Sequence, residues 1–134
     1  MLDMNDYGTF VKGVTSDASL DLAVLIKRLQ ELAAEPDVNV PQLLTAGIGL
    51  PGEAGEFSEL VKKVVFHGKP LNDEIRTKMA KELGDVIWYW IAGCLALGLD
   101  PEQIVLDNVT KLVGRYPGGE FSVAHSENRA EGDD

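Results

Sequence analysis

The chain has 134 residues, with 22 Asp and Glu against 12 Lys and Arg and a formal net charge of −10. That length holds one domain and one core, and 45% apolar with 25% charged residues is the composition of a folded rather than a disordered chain. So acidic a balance excludes sequence-independent binding to nucleic acid or to anionic membrane, both of which need basic surface, and a polyanionic ligand would have to be held through cations.

The N-terminal MLDMNDYGTF lacks the basic region and apolar run of a signal peptide. From Asn5 to about Val14, the spacing of Tyr7, Phe10, Val11 and Val14 predicts a short amphipathic helix with Asn5 or Asp6 as its cap. After Thr15-Ser16-Asp17, Leu22, Leu25, Ile26, Leu29 and Leu32 predict a second helix that ends at Glu35-Pro36. Asn39 caps a third, with Pro41 in its first turn, running to His67-Gly68, where glycine can take the left-handed conformation that closes a helix. Pro51 lies inside it. An interior proline removes a hydrogen bond and costs about 3 kcal/mol, so a kink or a fresh helix start is expected near Leu50-Pro51. The small residues Gly52, Ala54 and Gly55 allow a neighbouring helix to approach closely.

A fourth helix opens at Asn72, places Asp73 and Glu74 at the positive end of its dipole, and closes at Gly98. Its second half, VIWYWIAGCLALG, is apolar on every side. The stretch from Val86 to Leu99 is shorter than the roughly 20 residues that span a bilayer. Cys94 within it is the only cysteine, so no intramolecular disulfide can form, and a reduced, buried thiol in a cytoplasmic protein is expected. A helix apolar all round must be buried all round, which a small helical domain rarely achieves alone. A homo-oligomer with Trp88, Trp90 and Ile91 near the seam is therefore expected. Asp100-Pro101-Glu102 begins a fifth helix carrying Ile104, Val105, Val109 and Leu112, stopped by Tyr116-Pro117-Gly118. With no alternating strand pattern, the fold class is all-α, a bundle of four to five helices over residues 1–119. Residues 120–134 read as a polar, mobile tail.

Two acidic patterns stand out: Glu53-x-x-Glu56, with Glu59 a further step along, and Glu82-x-x-Asp85. Residues i and i+3 lie about 60° apart around a helix, so each pair projects from one face, one turn apart. Glu53 and Glu56 sit among Leu50, Pro51, Ala54, Gly55 and Phe57, and Glu82 and Asp85 lead into the most apolar helix. Antiparallel packing of these helices would bring the carboxylates together in partly desolvated surroundings, where their repulsion opposes folding unless a cation neutralises it. Oxygen donors without Cys or His point to Mg²⁺, with Mn²⁺ as a substitute, and magnesium commonly completes its shell with water and substrate phosphate. Taken singly, either motif reads first as an ordinary solvated helix face, with Glu59 paired to Lys62 or Lys63 and Lys78 to Glu82. Two such motifs on adjacent long helices, framed by small and apolar residues, favour a metal-bound di- or triphosphate site.

GLPGEAGEFSELVKK followed by KELGDVIWY resembles the ExxE and ExxD signature of the MazG-like, all-α nucleoside triphosphate pyrophosphohydrolases. The resemblance runs from about Asn5 through DNVTKLVGRYPGGEF. It implies a MazG-like bundle forming a homodimer or homotetramer, and Mg²⁺-dependent hydrolysis of a (d)NTP substrate to (d)NMP and pyrophosphate. By position, Glu53, Glu56, Glu82 and Asp85 match the family's metal-binding carboxylates, and Glu59 sits where a further acidic group would hold a second metal or orient the water. The chain departs from the pattern at Gly52, where many relatives carry a further Glu, and at Pro51; neither removes a ligand. The NxxKLxxRYP segment, with Asn108, Lys111, Arg115 and Tyr116, resembles the part that supplies polar and cationic contacts to the triphosphate. On dipole grounds alone, Lys111 and Arg115 would merely complement the end of their helix.

Lys63, His67 and Lys69 are further candidates for phosphate contact, although His67 reads more simply as a helix-end residue and His125 as incidental. The resemblance implies a base pocket built from the N-terminal helices, with Asn5, Tyr7 or Phe10 and a neighbouring subunit's tryptophan; aromatic rings at helical spacing are more often core. Compact stand-alone domains of this kind resemble bacterial and phage members of the family, of which the MazZ-like ones act on dGTP or GTP. A guanine nucleotide is thus the best single expectation, with the host cytoplasm as location if the chain is phage-encoded. A di-iron bundle would need Glu-x-x-His pairs, an EF-hand its spaced oxygen loop, and a Walker site GxxxxGK[ST]; none is present. The remaining alternatives are a house-cleaning hydrolase of noncanonical nucleotides and a helical oligomerisation or regulatory module that keeps the metal site without turnover.

Overall fold

The computed structural model describes residues 3–129. The described residues form seven helices and no strand: α1 (Met4–Val14), α2 (Asp17–Leu20), α3 (Leu22–Ala33), α4 (Val40–Val65), α5 (Asp73–Ala96), α6 (Pro101–Arg115) and α7 (Val123–Glu127). Five of these are the expected helices in the expected order. The two short ones, α2 and α7, carry too few apolar residues to register as periodic. The segment read as a tail contains α7, whose His125 N–H donates to the Ser122 hydroxyl at its N-cap; residues 130–134 of that segment lie outside the described residues.

Each long helix begins where a side chain can accept from a free backbone N–H. Asp21 accepts from Ala23 and Val24, Asn39 from Gln42, Asn72 from Ile75 and Asp100 from Glu102. At the end of α5, Gly98 donates to the Leu95 carbonyl and Leu99 to that of Cys94, a Schellman closure. Gly98 is confined to glycine twice over. Its φ is +63°, and a Cβ there would lie 2.8 Å from the Cβ of Asp37.

Pro51 does not start a new helix, since α4 runs unbroken from Val40 to Val65. The carbonyl that loses its donor belongs to Gly47, and both residues are exposed, so water can satisfy it.

The fold is organised around one antiparallel helix pair, α4 against α5, which makes by far the most extensive contact in the chain. At one end the Asn39 N–H donates to the Ala96 carbonyl at 2.8 Å, and a turn or two further on Gly93 faces the Ala46 methyl. Val40, Ala46, Ile75, Ala92, Cys94 and Ala96 are buried, all apolar and mostly small. Much apolar surface remains uncovered. Trp88 is 60% exposed, Ile87 58% and Phe10 61%. Helix α3 touches α4 lightly, and α6 leaves α5 at an angle of 103° with only slight contact. No single described helix is long and apolar enough to cross a membrane.

Candidate active site

The acidic residues lie midway along the α4–α5 pair. Gly49 sets how closely the helices meet. A Cβ on Gly49 would fall 2.0 Å from Cε1 of Tyr89, so the Tyr89 ring lies directly against the bare backbone of α4. Gly49 is one turn from Glu53 and Tyr89 one turn from Asp85, so this contact holds the two acidic stretches opposite each other.

One carboxylate oxygen each from Glu53, Glu82 and Asp85 lies within 4.8 Å of the others. Glu53 and Glu82 are half-buried and Asp85 is exposed. Glu56 is exposed and stands outside that trio, lining an adjoining cleft of about 290 Å³ with Gly52, Glu59, Lys63, Lys78 and Glu82. The Glu53 carboxyl is pushed above its ordinary value, first by loss of water around it and then by the negative charges of Glu56, Asp85 and Glu82. Three convergent carboxylates suit a hard divalent cation, whose charge would offset the part of the Glu53 shift that comes from its acidic neighbours. The donor set therefore fits Mg²⁺ or Mn²⁺, with Glu53, Glu82 and Asp85 able to supply the oxygens.

Glu59 is held differently. Its carboxylate pairs with Lys62 and, at 3.3 Å, with Lys63, and these cations keep its pKa below the usual range, the hydrogen bond from Lys62 contributing most. The ion pair that the ordinary helix-face reading gives this residue is thus formed, within the same cleft as Glu56. Lys78 does not bind Glu82 as its spacing also allows; it pairs with Glu74 at 2.6 Å. A glutamate four residues N-terminal to a lysine is the better-oriented pair, which favours Glu74 over Glu82.

Asn108, Lys111, Arg115 and Tyr116 are not brought beside the carboxylates within one chain, because α6 departs from the far end of α5 and none of its residues lines the cleft. Tyr116 packs with Phe121, ring centroids 6.0 Å apart, and with His125 at 6.4 Å. Tyr7 and Phe10 stack on each other at 6.4 Å on α1 and, like Asn5, stand apart from the cleft. His67 and Lys69 lie exposed in the α4–α5 connection, where the Lys69 N–H donates to the Lys63 carbonyl. Sequence reasoning assigned Lys78 no part in the site, though it stands one turn before Glu82 on the same face, the signal that would have found it.

A family model described as the MazG nucleotide pyrophosphohydrolase domain matches residues 42–119, which include all five acidic residues of the site and the whole of α6. No curated protein and no solved structure gives a match.

Proposed function

Because this chain belongs to the MazG nucleotide pyrophosphohydrolase domain family, we propose that it is a Mg²⁺-dependent hydrolase that converts a (d)NTP to (d)NMP and pyrophosphate. The observation that carries the proposal is the convergence of Glu53, Glu82 and Asp85 from two helices onto a space the size of one ion. In this reading those three residues, with Glu56 beside them, hold the metal. Bound there, Mg²⁺ would supply charge neutralisation and polarisation of phosphate oxygens. Glu59, at the far side of Glu56, takes the role of orienting the water or holding a second ion once the phosphates have drawn Lys62 and Lys63 away from it.

The chain's own residues do the rest. The Gly49–Tyr89 contact fixes the separation of the acidic stretches, so little reorganisation is needed when substrate arrives. Lys63 meets the phosphates from the cleft wall. Asn108, Lys111, Arg115 and Tyr116 fit a phosphate role when α6 of a second copy lies across the site. The uncovered apolar surface of α5 and α1 supports a homodimer or homotetramer that would place it there. A guanine nucleotide is the proposed substrate. Incubation with Mg²⁺ and each of dGTP, GTP, dATP, dCTP and dUTP, scored for monophosphate and pyrophosphate, tests the reading. Release of orthophosphate, or no product with any nucleotide, would contradict it, and equal rates would remove the guanine preference.

A further inference from the structure

Both walls of the acidic cleft carry a lysine, Lys63 on α4 and Lys78 on α5. Gly49, Glu53, Glu56 and Leu60 advance along α4 in steps of four, three and four residues, while Tyr89, Asp85, Glu82 and Lys78 recede along α5 by the same steps. Such steps keep each series within about 60° of one side of its helix, so both follow the same seam of the antiparallel pair. The Gly49–Tyr89 contact marks one end of that seam and the converging oxygens of Glu53, Asp85 and Glu82 its middle. Leu60 and Lys78 mark the cleft end. Glu82 belongs both to the converging trio and to the cleft lining, and Lys78 stands one turn beyond it, about 5.4 Å along the axis.

In the free protein the Lys78 ammonium donates to Glu74 at 2.6 Å, and the Glu74 side chain is 70% exposed. An ion pair so open to water is weakly held. Glu74 sits below its ordinary pKa, first through the hydrogen bond from Lys78 and that residue's charge and last through the charge of Lys69, so a cation stays beside it when Lys78 turns away. Resting on the pyrophosphohydrolase reading, we propose that Lys78 is a phosphate-binding residue that exchanges Glu74 for the β- and γ-phosphates, opposite Lys63. A flexible four-carbon stem carrying a compact charge suits such an exchange. Held at its far end between two ammonium groups, the phosphate chain leaves its α-phosphate beside Glu53, Glu82 and Asp85, the placement from which pyrophosphate rather than orthophosphate departs. Three glutamates line the cleft with the two lysines. A bare polyanion is therefore repelled, and phosphate binding there requires a divalent ion on the carboxylates.

Calorimetric titration of the intact chain with inorganic pyrophosphate and Mg²⁺ tests the exchange. Lys78→Ala is expected to weaken binding about tenfold, the loss of one charge-assisted contact, and Lys78→Arg to keep most of it. Arg76→Ala removes the same charge from the same helix, but from a position about 200° round from Lys78 and outside the cleft lining, and should bind pyrophosphate as the wild type does. Glu74→Gln, which frees Lys78, should tighten binding by about twofold to fivefold and have no effect once Lys78 is alanine. In turnover, inhibition by pyrophosphate should weaken about tenfold in Lys78→Ala, while inhibition by the product monophosphate, which has only an α-phosphate, stays unaltered. Wild type that fails to bind pyrophosphate, Lys78→Ala of unchanged affinity, an equal loss in Arg76→Ala, or Glu74→Gln acting alike with and without Lys78 would each overturn the exchange. Absence of monophosphate and pyrophosphate from every nucleotide would instead overturn the activity on which it rests.

Discussion

Replacing Gly49 with alanine tests whether the helix contact beside the site is as close as described. A methyl at 2.0 Å from Cε1 of Tyr89 and 2.4 Å from Cδ1 and Cζ cannot coexist with the ring, so either Tyr89 rotates out or the helices part locally. Overpacking of this kind costs about 1–3 kcal/mol. Alanine returns about 1 kcal/mol of helix propensity over glycine, leaving a net loss of about 0–2 kcal/mol with a midpoint of about 1 kcal/mol. For a chain of this size that lowers Tm by roughly 5 °C. Gly47→Ala on the same helix has open space around it and should instead stabilise by up to about 1 kcal/mol. The assay is thermal and urea unfolding followed by far-UV circular dichroism, with metal affinity measured in parallel, because separating Glu53 from Asp85 should weaken Mg²⁺ binding. A Gly49→Ala variant as stable as Gly47→Ala, with unaltered metal affinity, would refute the close contact and its role in placing the carboxylates.

Three further outcomes follow from the site. Glu53→Gln should abolish turnover yet stabilise the metal-free protein at neutral pH. A carboxyl whose folded pKa is raised contributes stability below its unfolded value, near 4.5, and that contribution is lost as pH rises through the folded value. Metal-free wild type should therefore lose stability against Glu53→Gln as pH climbs from about 4.5, and Mg²⁺ should restore it; parallel pH profiles in EDTA would count against the repulsion. Glu56→Gln and Asp85→Asn are each expected to lower kcat by a factor of 100 or more, on the order of the loss of one group that stabilises transition-state charge, with helical content intact. Unchanged turnover in either would remove that residue from the metal shell. Mixing Glu56→Gln with Lys111→Ala after co-refolding should regain part of the activity if α6 serves a neighbouring copy's site, whereas inactivity of the mixture, with each variant oligomeric, would place α6 outside it.

The helices were legible because caps and apolar spacing agree: Asn39, Asn72 and Asp100 announce α4, α5 and α6, and each accepts the hydrogen bonds such a residue is chosen for. The convergence of Glu53 with Glu82 and Asp85 was legible because helical spacing puts each pair on one face and a short connection forces the helices antiparallel. Glu56, read with them, lies outside that trio and lines the adjoining cleft beside Glu82, where its charge still raises Glu53 more than that of Asp85 or Glu82 does. What spacing could not reveal is competition between partners. Lys78 has acidic neighbours four residues on either side, and only the directional preference of the pair selects Glu74. Nor does any local signal give the direction in which α6 leaves Gly98, which decides whether Lys111 and Arg115 reach their own chain's carboxylates.

The most direct test is crystallographic: anomalous scattering from crystals grown with Mn²⁺. A peak lying among Glu53, Glu82 and Asp85, with metal–oxygen distances close to the roughly 2.0–2.1 Å of a magnesium-type site, is the expected result. Manganese bound elsewhere, with those three carboxylates turned apart into solvent, would contradict it.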